Sequence, residues 1–175
     1  ATDASSPGTL AISAERATLP PELQREWFVS AGVPAEQIVE TARHWSADLI
    51  VMGSHGHGLV KGAVLAMRHA DMAVVVTNPE VSSVRDSDRI IGLLDSKTEK
   101  AEKGEQVEKH LLLTRYDTAR AQRGEILKVE DVLDILSIPL LAIIPESTEV
   151  LRSSNLGAPV TLGSPNSAPA RAYLD

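Results

Sequence analysis

Residues 47–67 read ADLIVMGSHGHGLVKGAVLAM. The run from Asp48 to Gly53 is apolar, of strand length and without alternation, the pattern of a parallel strand covered on both faces. A glycine-rich turn follows at Gly53 to Gly58, and then a segment with helical spacing. A buried strand that passes through glycines into a helix is the unit on which α/β proteins build phosphate sites, because backbone N–H groups at a helix start attract anions. The stretch predicts an α/β fold. It leaves two readings of Gly53, Ser54, Gly56 and Gly58 open: phosphate contact, or a turn that needs glycine for its positive φ.

The alternation extends to both sides. Upstream, TLAISAERA (9–17) has helical spacing and REWFVSAG (25–32) is a short β candidate. Pro34 then opens a helix with Ile38, Val39, Ala42 and Trp45 on one face. Downstream, MAVVVT (72–77), KHLLLTRY (109–116) and PLLAIIP (139–145) read as strands. Residues 81–104 read as one long amphipathic helix with Val81, Val84, Ile91 and Leu94 inward, and KVEDVLDILS (128–137) as a helix that stops before Pro139. The Gly/Pro/Ser-rich tail, 155–175, holds at most one short strand at PVTL (159–162). Met52, Met67 and Met72 are expected in the core. The expectation is a three-layer α/β/α sandwich with a mostly parallel sheet of about five strands, as a single composite domain over 1–175.

Composition narrows the function. The 175 residues are 43% hydrophobic, enough for a real core. A net charge of −7 with no Lys/Arg-rich run argues against broad nucleic-acid binding. The absence of cysteine removes thiol chemistry and disulfides, and suits a reducing cytoplasm. ATDASSPGTL does not read as a signal peptide, and no apolar run approaches the ~20 residues of a membrane span. His55 and His57 form an H-x-H pair, but His44 and His69 add no supporting spacing, so exposed loop histidines are expected rather than a metal site.

From about Lys61 onward the sequence resembles the C-terminal half of the MinD family, P-loop ATPases that position the bacterial division site. The resemblance rests on ADMAVVVTNPEVSSVRDSDRIIGLLDSK (70–97), KHLLLTRYDTARAQRGEILKVEDVLDIL (109–136) and AIIPESTEVLRSSNLGAPVTL (142–162), in that order. It implies an adenine pocket lined by strand ends, at Asn78 and Pro79 within TNPE, at Thr114 and Arg115, and at Pro145 and Glu146. Read without the family, these are turn-forming residues at ordinary strand ends. Arg85, Asp86, Asp88 and Arg89 read plainly as the solvated face of the long helix. The resemblance makes the same four a surface for MinC- or MinE-type regulators, and it admits a homodimer. The family's membrane-binding amphipathic helix has no counterpart by ARAYLD, so membrane binding is not expected.

Residues 1 to about 60 resemble instead the universal stress protein family. ATDASSPGTLAISAERA (1–17) is similar to that family's first strand end, acidic nucleotide residue (Asp3) and first helix. GVPAEQIVETARHWSADLIVMGSHGHG (32–58) is similar to its later helix, strand and glycine loop. In ATP-binding members the loop reads G-x2-G-x9-G-[ST]. Gly53 and Gly56 fit its first part, but Ala66-Met67 stands where the second Gly-Ser/Thr would fall. No G-x-x-x-x-G-K-[ST] occurs, and Lys61-Gly62 has the reverse order. The two resemblances together imply a chimera joined at the glycine loop. They imply ATP as a weakly held ligand, without Mg²⁺, without hydrolysis and without a catalytic residue, since phosphoryl transfer needs a lysine or equivalent charge and a metal ligand. The alternative reading is an interaction protein with no ligand.

Overall fold

The computed structural model describes residues 31–53 and 67–174. The chain divides into two compact units, residues 1–66 and 67–175.

In the first unit, helix α1 (Pro34–His44) starts with proline in its first turn, where a missing N–H costs nothing. Ile38, Val39 and Ala42 are half-buried along one side, and Trp45 is exposed. The helix ends where Ser46 turns left-handed at φ +51°. The Ser46 N–H then donates to the Arg43 carbonyl and the Ala47 N–H to the Ala42 carbonyl, at 3.1 and 2.8 Å, which satisfies two terminal acceptors. Residues 48–53 correct the expectation of a buried strand. They carry no ladder pairing, and Leu49 and Val51 are 75% and 87% exposed. An apolar run becomes a strand only where a neighbour takes its hydrogen bonds, and no described residue does so here. The expected strand at 25–30, and the 9–17 helix, lie outside the described residues.

The second unit carries the sheet. Strands β1 (Met72–Thr77), β2 (Glu108–Tyr116) and β3 (Leu140–Pro145) are parallel and adjacent in the order β1-β2-β3. The β1–β2 register runs from Met72 opposite Glu108 to Thr77 opposite Leu113. The β2–β3 ladder is irregular, slipping between Leu111 and Leu112 and again between Leu113 and Tyr116. The three expected strands of this half are therefore present, and the α/β class with a parallel sheet holds.

One face of the sheet carries the main core. Val75, Leu111 and Leu113 pack with Val84, Ile91 and Leu94 of α2 (Val81–Lys97) and with Val132 and Leu136 of α5 (Val129–Leu136). Both crossovers lie on this face, as right-handed connections between strands laid down in sequence order require. Val81 does not join them and is 53% exposed, because it occupies the first position of α2, outside its inward stripe. Met72 is also exposed, on the opposite face of β1 with Val74 and Val76, whereas Met67 packs against the core.

The long helix expected over 81–104 breaks at Thr98. Its backbone is extended (ψ 159°), its hydroxyl donates to the Leu94 carbonyl at 2.9 Å, and the same oxygen accepts from Ala101 N–H at 3.2 Å. One buried threonine thus closes α2 and starts the short α3 (Glu99–Glu102). The tail forms α6 (Thr148–Asn155), α7 (Val160–Gly163) and α8 (Ala168–Leu174). No strand forms at 159–162, where Pro159 precedes the α7 turn. Helix α8 packs on β3, with Ile144, Val160 and Ala170 buried in that corner.

Candidate functional site

In a parallel sheet all carboxyl ends lie at one edge, where α/β proteins place ligands. Here that edge gathers Asn78 and Pro79 after β1, Thr114 and Arg115 in β2, and Pro145 and Glu146 at the end of β3. Adjacent strand ends are tied to each other. The Thr114 hydroxyl donates to the Thr77 carbonyl at 3.0 Å, the Arg115 Nε donates to Glu146 Oε2 at 3.0 Å, and the Glu146 N–H donates to the Tyr116 carbonyl at 3.0 Å.

Each residue has a local reason for its place. Asn78 closes an Asx turn by accepting the Glu80 N–H at 3.3 Å. Pro79 is buried, and its carbonyl accepts from Leu127 N–H at 3.0 Å, anchoring the loop before α5. Arg115 is left-handed, with φ +56°, where a side chain other than glycine is strained. The strain coincides with the second slip of the β2–β3 ladder, so the side chain leaves the strand alternation and reaches across to β3.

Beside this edge, Asp117 caps α4 (Thr118–Gln122) by accepting from the Ala119 and Arg120 N–H groups at 2.8 and 3.0 Å. Glu125 takes Arg123 at 2.5 Å and Arg120 at 3.1 Å. The Arg123 hydrogen bond first, and then that of Arg120, hold its carboxyl below the usual range, and Glu125 raises the Arg123 guanidinium in return.

Gly53 belongs to the first unit, and no described residue beyond its chain neighbours comes within 4 Å of where a side chain would begin. Asp3, Ser54, Gly56 and Gly58, like His55 and His57, lie outside the described residues. Arg85, Asp88 and Arg89 are exposed on α2 and Asp86 is half-buried, with Arg89 reaching Asp86 at 3.4 Å one turn back. Sequence reasoning missed a cavity of about 330 Å³ in the α6–α8 corner, lined by Val150, Ser153, Thr161 and Tyr173 among others. Its only sequence signal was a turn-rich tail. Among the described residues no three His, Cys, Asp or Glu side chains group as metal ligands, and no helix is long and apolar enough to cross a membrane.

A parallel sheet with polar side chains tied together along its carboxyl edge defines an α/β domain whose candidate ligand edge is that one. Residues 3–77 match the model of the Universal stress protein family. The septum site-determining protein MinD of Escherichia coli K12 is 54% identical over 140 residues, 79% of this chain and 51% of that protein. The fold is likewise MinD-like. The MinC:MinD cell division protein complex of Aquifex aeolicus matches with a TM-score of 0.58 and 31% identity, over 79% of this chain and 53% of that one. MinD of Pyrococcus horikoshii complexed with Mg-ADP matches with a TM-score of 0.61 and 27% identity, over 81% and 54%. The chain thus spans about half the length of these relatives. Both expected resemblances are found, but the matched segments overlap. The stress-protein match runs through β1 to residue 77, and a MinD match over 140 of 175 residues reaches upstream of Lys61.

Proposed function

We propose that this chain is an adenine-nucleotide-binding-type α/β domain, a chimera of a universal-stress-protein segment and a MinD-type segment, that binds ATP weakly and does not hydrolyse it. The observation that carries the reading is the carboxyl edge of the sheet, where Asn78, Thr114, Arg115 and Glu146 stand in or just after the ends of three adjacent strands. A neighbour of the same fold is complexed with Mg-ADP, which supports nucleotide as the ligand class. The sequence supports the lack of turnover. Residues 1–175 hold no G-x-x-x-x-G-K-[ST], so they supply no P-loop lysine or hydroxyl to a transferred phosphoryl group. Lost groups of that kind cost about 10²–10³ in rate each.

Calorimetry with ATP, with and without Mg²⁺, tests the proposal. Heat and a thermal shift at millimolar ATP are expected, with the same response when Mg²⁺ is withheld and no phosphate release above background. No heat and no shift would end it.

A second reading is favoured by α2. Arg85, Asp86, Asp88 and Arg89 form a mixed-charge, solvent-facing patch on a chain whose neighbours include MinD in a complex with MinC. In that reading the chain is a cytoplasmic interaction protein with a MinD-type regulator surface. Capture of MinC independent of ATP, lost in Arg85→Glu/Arg89→Glu, would favour it over nucleotide binding.

A further inference from the structure

Strand β1 lacks the devices that usually protect a sheet edge. Among the described residues it pairs only with β2, and that register runs from Met72 to Thr77 without a bulge. Proteins blunt such edges with charges, prolines or bulges. MAVVVT (72–77) contains no charged residue, proline or glycine. Its outward side chains Met72, Val74 and Val76 are 56%, 42% and 58% exposed.

The backbone of the same residues faces the same edge. The Asp71 carbonyl accepts from the Glu108 N–H at 3.3 Å, and the Thr77 carbonyl accepts from the Thr114 hydroxyl at 3.0 Å. Odd-numbered residues of β1 therefore turn their peptide groups toward β2. Direction alternates along a strand, so the N–H and C=O groups of Met72, Val74 and Val76 point away from β2.

This trio is complementary to itself. Two copies that meet antiparallel across a two-fold axis at Val74 set Val74 opposite Val74 of the second copy, and Met72 opposite Val76 of the second copy. Each is a hydrogen-bonded pair that exchanges both N–H···O=C bonds. Asp71 then stands opposite the uncharged Thr77 of the second copy, so no like charges meet. An axis at Ala73 or Val75 would leave one of the trio outside the pairing. We propose that the β1 edge is a homodimer interface, in which the MAVVVT segments of two copies join their sheets through an antiparallel ladder centred on Val74. The interface uses no nucleotide and is independent of the function proposed above.

Sedimentation equilibrium of the full chain in nucleotide-free buffer tests it, and a dimer at micromolar concentration is expected. Val74→Lys sets two lysines face to face at the axis and is expected to weaken association more than about tenfold. The register has its own readout, because the chain has no cysteine. In Val74→Cys the two thiols lie on strands whose α-carbons are about 5.5 Å apart, within disulfide reach, so mild oxidation should yield a covalent dimer. In Val76→Cys the two thiols lie roughly 13 Å apart along the ladder, and no covalent dimer should form. A monomer at every micromolar concentration, a dimer indifferent to Val74→Lys, or equal cross-linking of the two cysteine variants overturns the inference.

Discussion

The Thr114 hydroxyl donates to the Thr77 carbonyl across the ends of β2 and β1, at 3.0 Å. The bond joins a half-buried side chain to the last residue of the neighbouring strand, just before the Asn78–Pro79 turn. It fixes where that turn leaves the sheet.

Thr114→Val keeps the shape of the side chain and removes the donor. We expect a loss of about 1 kcal/mol in urea unfolding, with Thr114→Ser close to the parent. A Thr114→Val protein as stable as the parent would show that solvent satisfies the Thr77 carbonyl equally well.

Thr98 holds two hydrogen bonds at the break between α2 and α3 and is 1% exposed. Thr98→Ala removes both and is expected to cost about 1–2 kcal/mol. Thr98→Ser should recover most of that. Thermal melts of the three proteins would decide the matter, and a melting temperature indifferent to Thr98→Ala would remove the cap from the account.

Leu94 is 1% exposed in the core between α2 and the sheet. Leu94→Ala leaves a cavity and is expected to cost about 2–5 kcal/mol in chemical denaturation. Ile135→Ala, on the 49%-exposed side of α5, should cost well under half as much. Similar costs for the two would contradict the assignment of faces.

Glu125 should shape the acid limb of stability. Arg123 and Arg120 favour its charged form, so its folded pKa lies below its unfolded value. Its contribution is complete above the ordinary carboxylate value of about 4.3 and is lost as pH falls through the lowered folded value. Parent and Glu125→Gln should therefore differ at pH 6 and draw together as pH falls through the lowered folded value, with the pH 6 difference shrinking in high salt because all three side chains are exposed. A gap that widens as pH falls would reverse the sign.

Strands β1, β2 and β3 were legible from the apolar runs within them, but their faces were not: MAVVVT read as a buried strand, whereas Val75 is buried and Met72, Val74 and Val76 are exposed. The same pattern misled at 48–53, where Leu49 and Val51 have strand composition but no ladder; composition measures what a strand could bury, not whether a neighbour is there. The break at Thr98 was hidden because helical spacing continues past it, and only the side chain's turn back onto Leu94 ends α2. At the carboxyl edge the residues were named from the resemblance. The left-handed Arg115 and its reach to Glu146 had no sequence signal, since arginine gives no hint of positive φ.

The sequential strand order has a consequence for synthesis. Strands β1 and β2 each pair with the next one along the chain, so a pair such as Val75 and Leu111 is closed by a single crossover. No described strand waits for a partner beyond the one that follows it, which keeps contact order low for a parallel sheet. On the ribosome β1 can meet β2 before β3 has been made, and the sheet can grow in the direction of translation.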